Sequence, residues 1–234
     1  MTTAAFIAIG DEILSGKFPD ENTPFIISLM RERGIELRRA VVIGDSISEI
    51  SNEVRECSQQ FDLVFTSGGI GPTHDDTTME AVAHAFGEPT KIFQEVLDRI
   101  GEKFPNGAPD STRKMAYLPE STEFVDCEGL KHPAIKVRNV YVLPGVPSFF
   151  RAKLRALSSL WAGTPILCLK VSSLMREHEI VDVLNEAVRK WPDTQIGSYP
   201  RFEAEPFQVI ITIEGSNEPD VYKCRDWITQ MVGA

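Results

Sequence analysis

The chain has 234 residues, enough for one large domain or a medium and a small one, and its 42% apolar and 25% charged content is ordinary for a folded protein. A formal charge of -10 excludes a general nucleic-acid or anionic-membrane surface, which needs clustered Lys and Arg, so any anionic ligand must be held locally. The N-terminus, Met-Thr-Thr-Ala-Ala-Phe-Ile-Ala-Ile-Gly-Asp-Glu, has no basic segment and only a strand-length apolar run, so no signal peptide or membrane anchor is expected and a cytoplasmic location is.

Residues 4–9 read as a buried strand that opens directly onto Gly10-Asp-Glu-Ile-Leu-Ser-Gly16. Spacing alone leaves Asp11 and Glu12 open between a polar turn, a share in a metal site and an acceptor for a base or ribose. A helical pattern covers 22–33 and a strand 36–43, ending at Gly44-Asp45, where Asp45 is either a helix-start residue or part of a site. Helix 46–60, strand 61–65 and a helix from about Thr77 continue the alternation, which predicts β-α-β units and a parallel sheet covered on both faces. Ser46 with Glu49, and Thr77 with Glu80, each fit a capping box.

Between strand 61–65 and the next helix lies Thr66-Ser-Gly-Gly-Ile-Gly-Pro-Thr-His-Asp-Asp-Thr-Thr78. Gly68, Gly69 and Gly71 let backbone N–H groups point at an anion, with Thr73 beside them and a helix N-terminus behind. Asp75 and Asp76 would repel a bare phosphate, and a divalent cation between them resolves the conflict. His74 reads as an exposed loop histidine.

Farther on, 91–104 has a helical pattern, Asn106-Gly107-Ala108-Pro109 a turn, and a short helix runs through Arg113 and Met115. Arg113 and Lys114 are candidates to neutralise phosphate charge, against a merely solvated basic pair. Strands are expected at 124–125 and 135–142, and the latter breaks at Leu143-Pro-Gly-Val-Pro147 into helix 148–160. Pro144 and Gly145 therefore stand at a strand's C-terminal end, where open α/β sheets bind ligands. Acidic residues and glycines thus follow several strands, as one composite site across a sheet edge requires.

Trp161-Ala-Gly-Thr-Pro165 marks a boundary between a domain at 1–162 and a smaller one at 163–234. Strand 166–171, helix 177–190, strands 195–199 and 207–213 and helix 219–232 give a β-α-β-β-α order, a small α+β sandwich. Residues 165–234 carry seven basic against eleven acidic side chains and no Gly-x-x-Gly clamp, which argues against RNA. Cys57, Cys127, Cys168 and Cys224 lie far apart and read as reduced, mostly buried thiols.

The signatures Gly10-Asp-Glu-Ile-Leu-Ser-Gly16, Gly68-Gly-Ile-Gly-Pro-Thr-His-Asp-Asp76 and Leu143-Pro-Gly-Val-Pro147 resemble the molybdopterin-binding domain family, which includes MoaB and MogA proteins. The Thr-His-Asp-Asp form and Ile196-Gly-Ser-Tyr-Pro200 are similar to its branch of CinA-type proteins and eukaryotic FAD synthases. The resemblance implies a Rossmann-like three-layer α/β domain with a small C-terminal α+β domain. It implies a nucleotide or pterin ligand, a divalent metal such as Mg or Co held by Asp76, Asp75 and Glu12, and catalytic Asp76 and Asp45. The phosphates would be held by Gly10, Gly68, Gly69, Gly71, Thr73, Arg113, Pro144 and Gly145.

The activity so implied is metal-dependent hydrolysis of a nucleotide diphosphate, ADP-ribose or FAD. The alternatives are molybdopterin binding or adenylylation, and a regulatory module that binds a nucleotide or pterin without catalysis. A homodimer or homotrimer without nucleic-acid or membrane partners is expected. With Ala234 as its last residue, the chain is not expected to carry the deamidase domain of full-length CinA or the adenylyltransferase domain of FAD synthases.

Overall fold

Six consecutive buried residues, Ala4 to Ile9, make β1 (Thr3–Ile9) a strand with no solvent-facing side. Such a continuous apolar run belongs in the middle of a parallel sheet covered on both faces. The computed structural model describes residues 2–104, 109–161, 163–203 and 208–233. They fall into two units, Met1–Gly163 and Thr164–Ala234.

In the first unit the further strands are β2 (Glu36–Ile43), β3 (Leu63–Ser67), β4 (Thr90–Ile92), β5 (Tyr117–Pro119), β6 (Glu123–Val125), β7 (Ala134–Val137) and β8 (Val140–Leu143). The helices are α1 (Asp11–Leu14), α2 (Asn22–Glu32), α3 (Ile47–Gln60), α4 (Thr78–Phe86), α5 (Gln94–Lys103), α6 (Asp110–Arg113) and α7 (Pro147–Leu157). A 3-10 turn, Lys114–Ala116, follows α6. The main sheet runs β2-β1-β3-β8-β7-β6, with β2, β1, β3 and β8 parallel, β7 antiparallel to β8, and β6 antiparallel to β7.

Helices cover both faces of this sheet. Ile26, Leu29 and Met30 of α2 and Phe150, Leu154 and Leu157 of α7 pack with Phe6 and Phe65 on one face. On the other, Ile50, Val54 and Cys57 of α3 and Ala81, Val82 and Ala85 of α4 pack with Ile7, Ile9 and Val64. The spacing of Ile50, Val54 and Cys57 places them on one stripe of α3, and full burial of an aliphatic side chain such as Ile50 or Val54 stabilises by about 1.5–3 kcal/mol. The three-layer architecture is the fold class read from the alternation.

Three local expectations are corrected. The helix read over 91–104 begins only at Gln94, because Thr90–Ile92 pairs with β5, a partner distant in sequence. The strand read over 135–142 is the hairpin β7–β8, turned at Arg138, whose φ of 55° is rare outside glycine and whose guanidinium lies 4.3 Å from the Phe86 ring centroid. Neither capping box forms: the Ser46 hydroxyl pairs with that of Ser48, and the Thr77 hydroxyl donates to the carbonyl of Asp45 at 2.7 Å. The turn expected at 106–108 lies outside the described residues.

The second unit contains β9 (Leu167–Ser173), α8 (Glu177–Lys190), β10 (Gln195–Arg201), β11 (Gln208–Gly215) and α9 (Glu218–Val232). Its antiparallel sheet runs β10-β11-β9, and α8 and α9 pack on one face through Ile180, Ala187, Val221, Cys224 and Ile228 against Val171, Val209, Ile211 and Ile213. Residue 207, expected to open the third strand, lies outside the described residues. Among the described residues no helix is long and apolar enough to cross a membrane.

Candidate functional site

Four parallel strands, β2, β1, β3 and β8, deliver their C-terminal ends to one edge of the sheet, and each is followed by a motif singled out in the sequence. Gly10 follows β1 and donates its N–H to the carbonyl of Ile43 at the end of β2. Gly68 follows β3 and donates to the carbonyl of Leu143 at the end of β8, at 3.2 Å. The turns are thus stitched to neighbouring strands.

Gly68 has a φ of 114°, and a Cβ there would sit 2.1 Å from the backbone oxygen of Ile9, so no other residue fits without moving β1. A Cβ on Gly145 would sit 3.2 Å from the Cα of Gly68, so the β8–α7 turn lies directly against the glycine loop. Asn22, 94% buried at the start of α2, joins these turns. Its amide donates to the Ser67 hydroxyl and to the carbonyl of Gly145, both at 2.8 Å. Asp20 fixes Asn22 in turn, accepting the N–H groups of Asn22 and Thr23 at 2.9 and 3.0 Å.

Sequence reading missed Asn22. An Asn at the start of an amphipathic helix reads as an end signal, and its two partners come from 45 and 123 residues away. Asp20, two residues before it, was the available hint that the backbone start was already capped by another side chain.

Past Gly71 the loop folds on itself. One carboxylate oxygen of Asp76 accepts both the N–H and the hydroxyl of Thr73, and Lys114 donates to the carbonyl of Thr73 at 2.7 Å. Gly69, Gly71, Asp76, Glu80, Lys114 and Tyr117 help line a cleft of about 320 Å³. Lys114 thus reaches the loop, whereas its neighbour Arg113 is not among the residues lining this cleft. Thr73 keeps its carboxylate partner, and His74 is almost fully exposed with Nδ1 3.8 Å from an oxygen of Asp75.

The acidic residues are not all alike. Asp45 accepts the N–H of Asp11 at 2.9 Å. Its carboxyl is pushed above the usual carboxylate range by burial first, with the negative charges of Asp11, Glu12 and Asp75 acting the same way, while the Asp11 N–H opposes them. The exposed Asp75 is held below that range, by the Thr73 hydroxyl first, a donor it shares with Asp76, then by its own backbone N–H, and also by His74 and Lys114. A second cleft, of about 590 Å³, meets Asp45 beside Ser46, Ser48, Asn52 and Thr77.

The expected metal set of Asp76, Asp75 and Glu12 is not assembled as such: among the described residues no three His, Cys, Asp or Glu side chains form a ready-made ligand group. The charges of Asp11, Glu12 and Asp75 nevertheless reach Asp45, and carboxylate oxygens are the donors a hard cation takes. Magnesium needs only one or two of them, since it keeps waters and takes its other oxygens from a phosphate. Oxygen donors of this type suit magnesium, although no three of the described ones stand together as a ligand group.

Comparison with known proteins places these motifs among relatives. Residues 5–160 match the family described as a probable molybdopterin binding domain, and residues 165–234 match the middle domain of FAD synthase. The crystal structure of a CinA protein of unknown function from Thermoplasma acidophilum superposes with a TM-score of 0.62 at 32% identity, covering 68% of this chain and 96% of that one. A probable FAD synthase of Caenorhabditis elegans is 33% identical over 91% of this chain but only 46% of its own length, so the chain spans about half of that relative. A protein of Archaeoglobus fulgidus is also 33% identical, over 93% of this chain and 92% of its own length.

Proposed function

The chain belongs to the molybdopterin-binding domain family and continues into an FAD synthase middle domain, and from that premise we propose that it hydrolyses the diphosphate bond of a nucleotide such as ADP-ribose or FAD. The observation that supports this reading is the cleft in which the amide-rich turn Gly69–Gly71 meets Lys114 and Asp76 at the C-terminal edge of the parallel strands. Amides of the turn and the Lys114 ammonium hold the diphosphate; Gly145 and Asn22 keep the turn in shape from behind. Asp45, with Asp11, Glu12 and Asp75, is where a divalent ion would be held. That ion, when bound, polarises the phosphoryl oxygens and lowers the pKa of a coordinated water.

Asp76, in the wall of the cleft, is the residue we assign to take a proton from the attacking water. Attack at one phosphorus breaks the anhydride bond, leaving two phosphomonoesters: AMP and ribose 5-phosphate from ADP-ribose, or AMP and FMN from FAD. The test is incubation with ADP-ribose, with FAD, and with molybdopterin plus ATP, each with magnesium, with cobalt and with no added ion. Ion-dependent AMP release from either dinucleotide is expected, reduced roughly 100-fold or more by Asp76→Ala. Transfer of AMP to molybdopterin would replace hydrolysis by adenylylation. Binding without turnover would leave a non-catalytic module.

A further inference from the structure

Asp76 is tied to Thr73 by hydrogen bonds that treat its two carboxylate oxygens differently. Oδ2 accepts the N–H of Thr73 at 2.8 Å and the Thr73 hydroxyl at 2.5 Å, while the N–H of Asp76 donates back to the Thr73 carbonyl at 3.3 Å. Among the described residues Oδ1 takes no hydrogen bond. Resting on the reading of Asp76 as the base, we propose that Thr73 is a positioning residue, which locks the Asp76 carboxylate with Oδ2 engaged and Oδ1 left to receive the proton of the attacking water.

The terminal torsion of an aspartate is broad and nearly two-fold, so an untethered carboxylate presents either oxygen and samples the angles between. Two donors on one oxygen remove that freedom, and bonds to an ionised acceptor are the strong kind. Two neighbours hold the arrangement in place. A Cβ on Gly71 would sit 2.7 Å from Oδ2 and 3.2 Å from Oδ1, so the carboxylate packs against backbone where a side chain would displace it. Lys114, in the turn after α6, donates to the Thr73 carbonyl at 2.7 Å and so fixes the residue that fixes Asp76. An ammonium has three donors, which leaves two for the diphosphate. The Thr73 hydroxyl, which the family resemblance would lay on a phosphate, is engaged instead with carboxylates, Asp76 and also Asp75. In the reaction the water oxygen bonds phosphorus while its proton passes to Oδ1, and the anhydride oxygen leaves with the bonding pair. Thr73 exchanges no atom.

The experiment measures steady-state AMP release, with magnesium, from ADP-ribose and from FAD by wild type, Thr73→Val, Thr73→Ser, Asp76→Ala and the double variant Asp76→Ala/Thr73→Val. Thr73→Val keeps the shape and the N–H and removes the hydroxyl. It is expected to lower kcat roughly tenfold or more with KM within about twofold, because a base slightly out of place loses rate rather than affinity. Thr73→Ser is expected to restore kcat to within about twofold of wild type, and Thr73→Val to change nothing further once Asp76 is alanine. Thermal melting reports that Thr73→Val is folded, and Thr73→Ala repeats the test should it not fold. An unchanged kcat in folded Thr73→Val, a loss confined to KM as a phosphate contact would give, failure of Thr73→Ser to restore kcat, or an equal further loss in the Asp76→Ala background overturns the positioning role and leaves the hydrolysis reading intact. Absence of AMP release by wild type overturns hydrolysis itself, and full activity of Asp76→Ala overturns the base assignment; either removes the role given to Thr73.

Discussion

The two units cover their sheets differently. In the first, α2 and α7 pack on one face and α3 and α4 on the other, and every parallel strand must leave the sheet at the same edge to reach its next helix. In the second, α8 and α9 share one face, while Lys170, Ser172 and Tyr199 on the alternate positions of β9 and β10 are exposed. A sheet buried on both sides collects its turns at one crevice; an antiparallel sheet buried on one side spreads them over both ends. The chemistry gathers in the first unit for that reason.

The contrast can be pressed hardest in the two cores. Ile7 and Ile211 sit on central strands and are both fully buried. Truncation to alanine is expected to cost about 2–5 kcal/mol at either, toward the upper end at Ile7, because a layer closed on both sides collapses less readily around a cavity than one free on one face. Urea unfolding of Ile7→Ala and Ile211→Ala measures this; equal losses would remove the distinction.

Next is the turn itself. Gly68→Ala places a Cβ against the Ile9 carbonyl at a positive φ and is expected to cost about 1–3 kcal/mol and to abolish diphosphate binding, read by calorimetry and thermal melting. Asn22→Ala removes two buried hydrogen bonds and leaves the Gly145 carbonyl without its amide, at about 1–2 kcal/mol. A lower diphosphate affinity should accompany that loss, and preserved affinity would reduce Asn22 to a plain structural residue.

The smallest effect has the opposite sign. The folded-state pKa of Asp45 is raised, so the folded protein holds this proton more tightly than the unfolded chain, and stability declines as pH rises from the ordinary Asp range through the raised value. Asp45→Asn keeps an acceptor for the Asp11 N–H and removes the charge. Without added divalent ion it is expected to raise the unfolding midpoint slightly at pH 7 and not at pH 3, and to abolish turnover. A lowered midpoint at pH 7 would show that the carboxylate stabilises the fold.

Much of this was legible in the chain because it is local. The alternation of buried strands with stripes such as Ile50, Val54 and Cys57 fixes the layers, and the glycines after β3 announce a tight turn. What was not legible depends on partners distant in sequence. Lys91 and Ile92 fit a helical pattern until β5 offers a ladder, and the residues of 135–142 look continuous until Arg138 turns them. Thr77 has the pattern of a capping residue, yet its hydroxyl goes to the carbonyl of Asp45, 32 residues earlier. Arg113 and Lys114 are indistinguishable as adjacent cations in a sequence, and only the turn at Lys114–Ala116 decides which of them meets the loop.

The contact between Gly145 and Gly68 bears on how the crevice breathes. With the start of α7 lying against the glycine loop and Asn22 bonded across both, neither segment has room to lift alone. Their amides should therefore exchange with solvent deuterium as one cooperative unit, at a common rate set by a single opening, while the exposed residues around His74 exchange ahead of them.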